Sequence, residues 1–391
     1  MPLTGLRVVD LTRILSGPFC SMMLADFGAE VIKVEPKRGD DLRRIGIMGD
    51  CENPYFVNMN RNKRSIAIDL RADQGKEIIR RLVKTADVLI ENYRPGVMEK
   101  MGLGYGDLKK INPGLIYAAI SGFGKTGPYK DRPAFDFIAQ AMSGFMSVTG
   151  TEDMEPMRAG IPLTDTIAGL YAAFGILAAL RRREQTGQGE EVQAAMVDGM
   201  ISMLGFASSA YFATGKLPLR TGNDQMVVSP YGVFQTEDRP LAVAPSTEKT
   251  WLALCRVLGL ERLITDPEFD TNEKRRENRL EMNRMVNEKT RSLPRDEWIK
   301  RFNEAGVPCG PINNLEEVFS DPQVLHQEMV LESPQPTGPV KMPGFPVKMT
   351  EAPARLRRPS PQLGEHTREI LKEAGYDLNE IEQFIQADVV A

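Results

Sequence analysis

The first 121 residues alternate strand-like and helix-like patterns, and that alternation constrains the fold more than anything else in the chain. Residues 6–11 form an apolar run of strand length, residues 19–27 a helix stopped by Gly28, and residues 31–35 a second strand. The pattern strand, helix, strand returns at 65–70, 74–85 and 87–91, and residues 115–121 add a further strand. Such alternation predicts an α/β fold, with a parallel sheet carrying helices on its faces. In sheets of this kind ligands bind beyond the carboxyl ends of the strands, which directs attention to the loops 12–18, 36–44, 92–96 and 122–133.

The last of these loops contains the glycine spacing Gly122, Gly124, Gly127, but Pro128 and Pro133 follow where a dinucleotide fold needs a helix N-terminus. The first strand leads into Thr12-Arg13-Ile14-Leu15-Ser16-Gly17-Pro18, with no glycine fingerprint, which disfavours a nicotinamide-dependent dehydrogenase. Basic residues recur at the strand ends: Arg13, Lys37, Arg38, Arg43, Arg71, Arg94, Lys100, Lys125 and Arg132. Any one of them alone reads as a solvated surface charge; together they suit a phosphate-rich ligand, with Tyr93 offering a flat face for a base.

Residues 158–184 hold the candidate chemistry. Thr164 and Asp165 read as N-cap residues of an apolar helix that ends in Arg181, Arg182, Arg183 and Gly187. The helix dipole then favours an ionised Asp165. Ala168, Gly169, Ala172, Gly175 and Ala179 form a small-residue stripe opposite Leu170, Phe174 and Leu177. Helical glycine costs about 0.5–1 kcal/mol, so two of them imply that another backbone approaches closely. Capping alone would account for Asp165, and only its context argues for more.

With 391 residues, 42% hydrophobic and 26% charged, the chain has the size and composition of a two-domain globular protein. A net charge of −4 gives no reason to expect nucleic acid or an acidic membrane surface. The N-terminal residues carry no signal-peptide pattern, and the apolar run 167–180 is short and rich in Gly and Ala, so a cytoplasmic protein without a membrane span is expected. Cys20, Cys51, Cys255 and Cys309 are scattered and read as reduced, structural thiols. His326 and His366 are the two histidines, too few for a His-rich metal site, which leaves the chemistry to carboxylate, lysine or arginine.

Further along, residues 190–194 read as a strand and Asp198 as the cap of a Met-rich helix reaching about 213, with Met196, Met200 and Met203 in the core. A hairpin at 231–243, helices at 251–258 and 293–305, a charged helical face at 266–291 and a proline-rich turn at 306–312 suggest a second, smaller domain. The expected organisation is a large domain over 1–214, a linker at 215–229, a small domain at 230–325, a linker at 326–346 and a return at 347–391.

The opening GLRVVDLTRILSGP, NRNKRSIAIDL at Asn60, ENYRPG at Glu91, MGLGY at Met101, SGFGKTGP at Ser121, PLTD ending at Asp165, GVPCGPINN at Gly306 and LGEHT at Leu363 together resemble the class III CoA-transferases, in order and over the whole chain. Formyl-CoA and crotonobetainyl-CoA transferases belong to that family, and the later stretches are similar to its succinyl-CoA dicarboxylate transferases. The resemblance implies a large Rossmann-like domain built from both chain ends, a smaller α+β domain between two linkers, and an interlocked, ring-like homodimer. It implies that Asp165 is the catalytic nucleophile, and that coenzyme A is contacted by Leu15, Ser16, Ile68, Arg71, Asn92, Tyr93, Arg94, Lys100, Arg132, Pro133, Ala134 and Phe135. Substrates would be an acyl-CoA, with succinyl-CoA as a candidate, and a carboxylic acid, with no bound cofactor and no metal. The glycine-rich loop of formyl-CoA transferase has no counterpart at 222–232, which implies a larger acceptor. A racemase branch of the superfamily uses a histidine where this chain has Phe135, and a phenyl ring cannot exchange a proton. A CoA-binding protein without turnover is the other alternative.

Overall fold

The computed structural model describes residues 1–46 and 52–391; Cys51 lies outside the described residues. Six strands, β1 (Arg7–Asp10), β2 (Glu30–Glu35), β3 (Lys63–Ala67), β4 (Val88–Glu91), β5 (Ile116–Ser121) and β6 (Glu190–Ala195), form one sheet in the order β3-β2-β1-β4-β5-β6. Every neighbouring pair is parallel. This is the Rossmann strand order without the Rossmann glycine loop, and it reverses direction between β1 and β4, where a crevice opens. β3 ends at Ala67 rather than at residue 70, because Ile68 bridges antiparallel to Val390.

Alternate strand residues feed two apolar layers. Val9, Ile32, Ile66 and Leu89 pack with the helix α3 (Asp73–Val83) and with Ile370 and Leu371 near the chain end. On the other face Val8, Val31, Val88 and Ile116 pack with α1 (Ser16–Asp26) and α7 (Leu163–Thr186). The intervening helices are α2 (Pro54–Asn60), α4 (Val97–Lys100), α5 (Tyr105–Ile111) and α6 (Asp136–Met142), and α8 (Met196–Ser202) and α9 (Gly205–Thr214) follow β6. The Met-rich segment is therefore two helices; Asp198 lies in the first turn of α8 without capping it, and Met203 is 51% exposed rather than core.

α7 runs 24 residues, longer than the apolar run suggested, and by length and composition alone it could cross a bilayer. Half of its most apolar stretch is buried against the protein, as in the core helix of a globular domain. Its glycines mark close approaches: a Cβ at Gly169 would stand 2.6 Å from the Ser16 carbonyl oxygen, and one at Gly175 2.6 Å from Val192. The helix ends at Gly187, whose φ of 69° suits glycine.

The chain divides into two compact units. The first comprises Met1–Phe145, Arg158–Ser208 and Pro322–Ala391; the second comprises Met146–Met157 and Ser209–Asp321. This differs from the division expected from sequence: residues 209–229, expected as the end of the large domain and a linker, belong to the second unit, and two further segments also change place. Residues 146–157 belong with the second unit because Arg220 donates to the carbonyls of Thr151, Glu152 and Met154. Residues 326–346, expected as a linker, carry the antiparallel hairpin β10 (Val330–Ser333) and β11 (Val340–Pro343), which packs Val340 and Met342 against Val57. The return also holds two helices, Thr367–Glu373 and Leu378–Gln386. His366 is structural, pairing with β3 through Ser65 at 3.0 Å and 3.3 Å.

The second unit is built on the antiparallel sheet β7 (Gly232–Phe234), β8 (Leu241–Val243) and β9 (Cys309–Pro311). The segment read as a proline-rich turn thus supplies an edge strand, a position that tolerates proline. In the charged segment 266–291, Arg275, Met282, Met285 and Val286 are buried, so it is solvated on one face only.

Candidate active site

The first unit holds a cavity of about 770 Å³ at the carboxyl ends of the strands. Its walls come from the loops after β1, β2, β4 and β5, the four that the parallel-sheet argument singled out. Of the residues named from sequence, Leu15, Ser16, Asn92, Tyr93, Arg94, Arg132, Pro133, Ala134, Phe135 and Asp165 line it. Ile68, Arg71 and Lys100 do not. Ile68 is 0% exposed in the sheet core, where its side chain has no access to a ligand, and Arg71 and Lys100 are exposed outside the lining.

Five cations line the cavity: Arg13, Arg44, Arg94, Lys130 and Arg132. Arg44 and Lys130 were not distinguished in the sequence from other surface charges. Several of the other strand-end cations are instead bound within the protein. Arg43 is bidentate on Glu35 at 2.7 Å and 2.8 Å, Lys125 bridges Glu99 and Glu191 at 2.9 Å and 2.5 Å, and Lys37 pairs with Asp388. Tyr93 has Arg13 over its ring at 5.4 Å. Met196, expected in the core, is both packed there and part of the cavity wall.

Asp165 sits in the first turn of α7 but does not cap it. That task falls to Asp136, whose Oδ1 accepts from the Thr164 N–H at 2.9 Å and the Thr164 hydroxyl at 2.8 Å. Asp136 is held in turn by Gln140, 2.6 Å away. Because the cap comes from outside the helix, the Asp165 carboxylate is free to meet the Ser16 hydroxyl and backbone N–H at the start of α1. Burial, then the like charge of Asp136, pushes the Asp165 carboxyl up to about 6, against the opposing pull of Ser16. Desolvation thus outweighs the helix dipole, which by itself would have held the group ionised at any ordinary pH. At neutral pH the carboxylate still prevails by about tenfold, and it is more basic than an ordinary aspartate. The Tyr55 phenol feels the charges of both Asp165 and Asp136, and burial followed by these charges pushes it up to about 12, which keeps it a hydrogen-bond donor. Nothing in the sequence around Tyr55 pointed to this neighbourhood.

Beneath the cavity lies a buried polar cluster. Asp10 accepts from Lys63 Nζ at 3.1 Å, from Ser21 and from Thr12, and Lys33 Nζ binds Asp40 at 2.9 Å. All four ionisable groups are fully buried. The burial of Asp10 is outweighed by Lys63 and Lys33, which draw its carboxyl down to about 2. Among the described residues no group of His, Cys, Asp and Glu could hold a metal ion.

A carboxylate at the end of a cation-lined cavity suits acyl chemistry on a phosphate-bearing thioester, and the comparisons with known proteins agree. Residues 3–367 match CoA-transferase family III. The chain is 40% identical to the succinyl-CoA:glutarate CoA-transferase of Mus musculus, over 100% of this chain and 90% of that one. It is also 40% identical to the acetyl-CoA:oxalate CoA-transferase of Acetobacter aceti, over 95% of each. A crystal structure of a CAIB/BAIF family protein from Brucella suis superposes with a TM-score of 0.85 at 40% identity, covering 96% of this chain and 99% of that one. The chain belongs to CoA-transferase family III and is a CoA-transferase.

Proposed function

We propose that this enzyme moves CoA from an acyl-CoA donor, with succinyl-CoA as the first candidate, to a dicarboxylic acid acceptor through covalent intermediates on Asp165. The Asp165 carboxylate attacks the donor thioester carbonyl and expels CoA thiolate, leaving a mixed anhydride. The thiolate attacks the aspartyl carbonyl, releasing the donor acid as its carboxylate and forming an aspartyl-CoA thioester. The acceptor carboxylate then displaces the thiolate to give a second anhydride, and the thiolate takes the acceptor acyl group and frees Asp165. No proton is gained or lost over the cycle.

The observation that carries this reading is the position of Asp165 in the wall of the cation-lined cavity, bonded by Ser16 and with a carboxyl value near 6. Phosphates of CoA are assigned to Arg94 and Arg132, and its outer nucleotide end to Arg71 and Lys100. The relatives' names divide between glutarate and oxalate at the same 40% identity, so chain-wide likeness supports a dicarboxylate without selecting its length. The active form is proposed to be an interlocked homodimer, supported by the apolar face that Phe137, Ile138, Leu170, Phe174 and Leu177 leave exposed.

The test incubates the protein with succinyl-CoA and a panel of dicarboxylates and follows acyl-CoA by mass spectrometry, with peptide mapping for CoA attached at Asp165. New acyl-CoA together with the adduct is expected. Deuterium entering the α-carbon of a branched acyl-CoA, without exchange, would favour epimerisation instead. Size-exclusion chromatography with light scattering tests the dimer.

A further inference from the structure

The loop that presents Ser16 to Asp165 is held in a conformation its own residues resist. Ile14 has a φ of 65°, the left-handed region that a β-branched side chain avoids. Such a residue persists only where its surroundings over-determine it, and here they do. The Thr12 N–H donates to Asp10 at 2.9 Å, and the Thr12 carbonyl accepts from Lys33 Nζ at 3.1 Å. The Arg13 N–H donates to Asn92 Oδ1 at 2.9 Å while Asn92 Nδ2 donates back to the Arg13 carbonyl at 2.8 Å, so that one side-chain amide imitates a neighbouring strand across the point where the sheet order reverses. The Ile14 N–H donates to both oxygens of Asp40, at 3.2 Å and 3.3 Å. Asp40 is 0% exposed and is fixed by Lys33 and by the Leu42 N–H.

We propose that Asn92 and Asp40 are positioning residues for the reacting carboxylate: by clamping the backbone of Arg13 and Ile14 they hold the strained turn that aims Ser16 at Asp165. The assignment changes the reading of Asn92, which resemblance makes a CoA contact. Both ends of its amide are engaged by Arg13, and its remaining polar reach, 3.5 Å, is to the Ser16 hydroxyl. The inference rests on Asp165 as the reacting group, but the principal readout below requires no turnover.

Ser16 acts against burial by favouring the ionised carboxylate, so slackening the clamp removes that support and raises the pH at which Asp165 titrates. The other charged or titratable groups that act on Asp165, Asp136 and Tyr55, are untouched by the substitutions. The experiment is a carbon-13 NMR titration of aspartate-labelled protein, with the Asp165 signal identified by Asp165→Asn, in wild type, Asn92→Ala and Asp40→Ala. Wild type is expected to titrate near 6 and both variants at higher pH, with faster amide hydrogen exchange in residues 12–16 and kcat lowered by roughly tenfold or more. An Asn92→Ala protein that is folded and still titrates near 6 overturns the proposal and leaves Asn92 a purely structural residue. Asp40→Ala strands Lys33 in the interior and can unfold the protein; Asn92→Ala removes no charge and keeps the test decisive. If wild type never exchanges CoA, the transferase mechanism fails while the titration still judges the clamp.

Discussion

Helix α1 hydrogen-bonds two carboxylates, Asp10 through Ser21 and Asp165 through Ser16, and the two lie at opposite ends of the carboxyl range. Both are desolvated. Asp10 has Lys63 and Lys33 beside it and falls to about 2; Asp165 has Asp136 for its charged neighbour and rises to about 6. Serine hydroxyls from α1 are common to both, so the difference is the presence or the withholding of a cation. A paired buried carboxylate is scaffold, whereas one denied its cation remains basic enough to attack a carbonyl.

The largest expected effect is on the unpaired member. Asp165→Ala should lower CoA exchange by on the order of 10⁴-fold or more while calorimetry still detects CoA binding. A variant that retains exchange would break the contrast by showing that another group reacts. Next comes the paired member: Lys63→Met leaves Asp10 buried without its nearest cation and should cost about 3–5 kcal/mol in chemical denaturation. Gly169→Ala ranks third, since its Cβ would meet the Ser16 carbonyl at 2.6 Å. It should cost about 1–3 kcal/mol and reduce exchange, sharpening the contrast because its closest clash is at Ser16, the residue that bonds Asp165.

The smallest effect has the opposite sign. Because the folded value of Asp165 lies above its ordinary 3.8, its ionisation opposes folding, with no penalty below 3.8 and a full one above about 6. Asp165→Asn should therefore raise the Tm by roughly 2 °C at pH 8 and leave it nearly unchanged at pH 4. For Asp10 the sign is reversed: its contribution is present above 3.8 and is lost as pH falls through about 2. A Tm gain that is the same at both pH values would mean that Asp165 is not strained by its surroundings.

The sheet was legible because its strands are short apolar runs closed by helix stops, and the strand-end rule then located the four loops of the cavity. What could not be read depended on partners distant in sequence. Lys33 and Lys63 sit in strands that look amphipathic, and only Asp40 and Asp10 explain their burial. Thr164 and Asp165 have the composition of a cap, yet the cap is Asp136, 28 residues earlier than Thr164. β9 is three residues long and ends in Pro311, so its pairing with β8 is visible only once the second unit has folded. The local pattern marks Asp165 as a helix cap, and only resemblance points to it as a nucleophile.

The grip on residues 12–14 is made to main-chain N–H and carbonyl groups, while the Arg13 side chain faces the cavity. Main-chain groups are the same for every amino acid but proline. The loop is therefore a socket whose shape is inherited separately from the side chains it displays. A lineage can exchange those side chains while the position of Ser16 against Asp165 stays fixed.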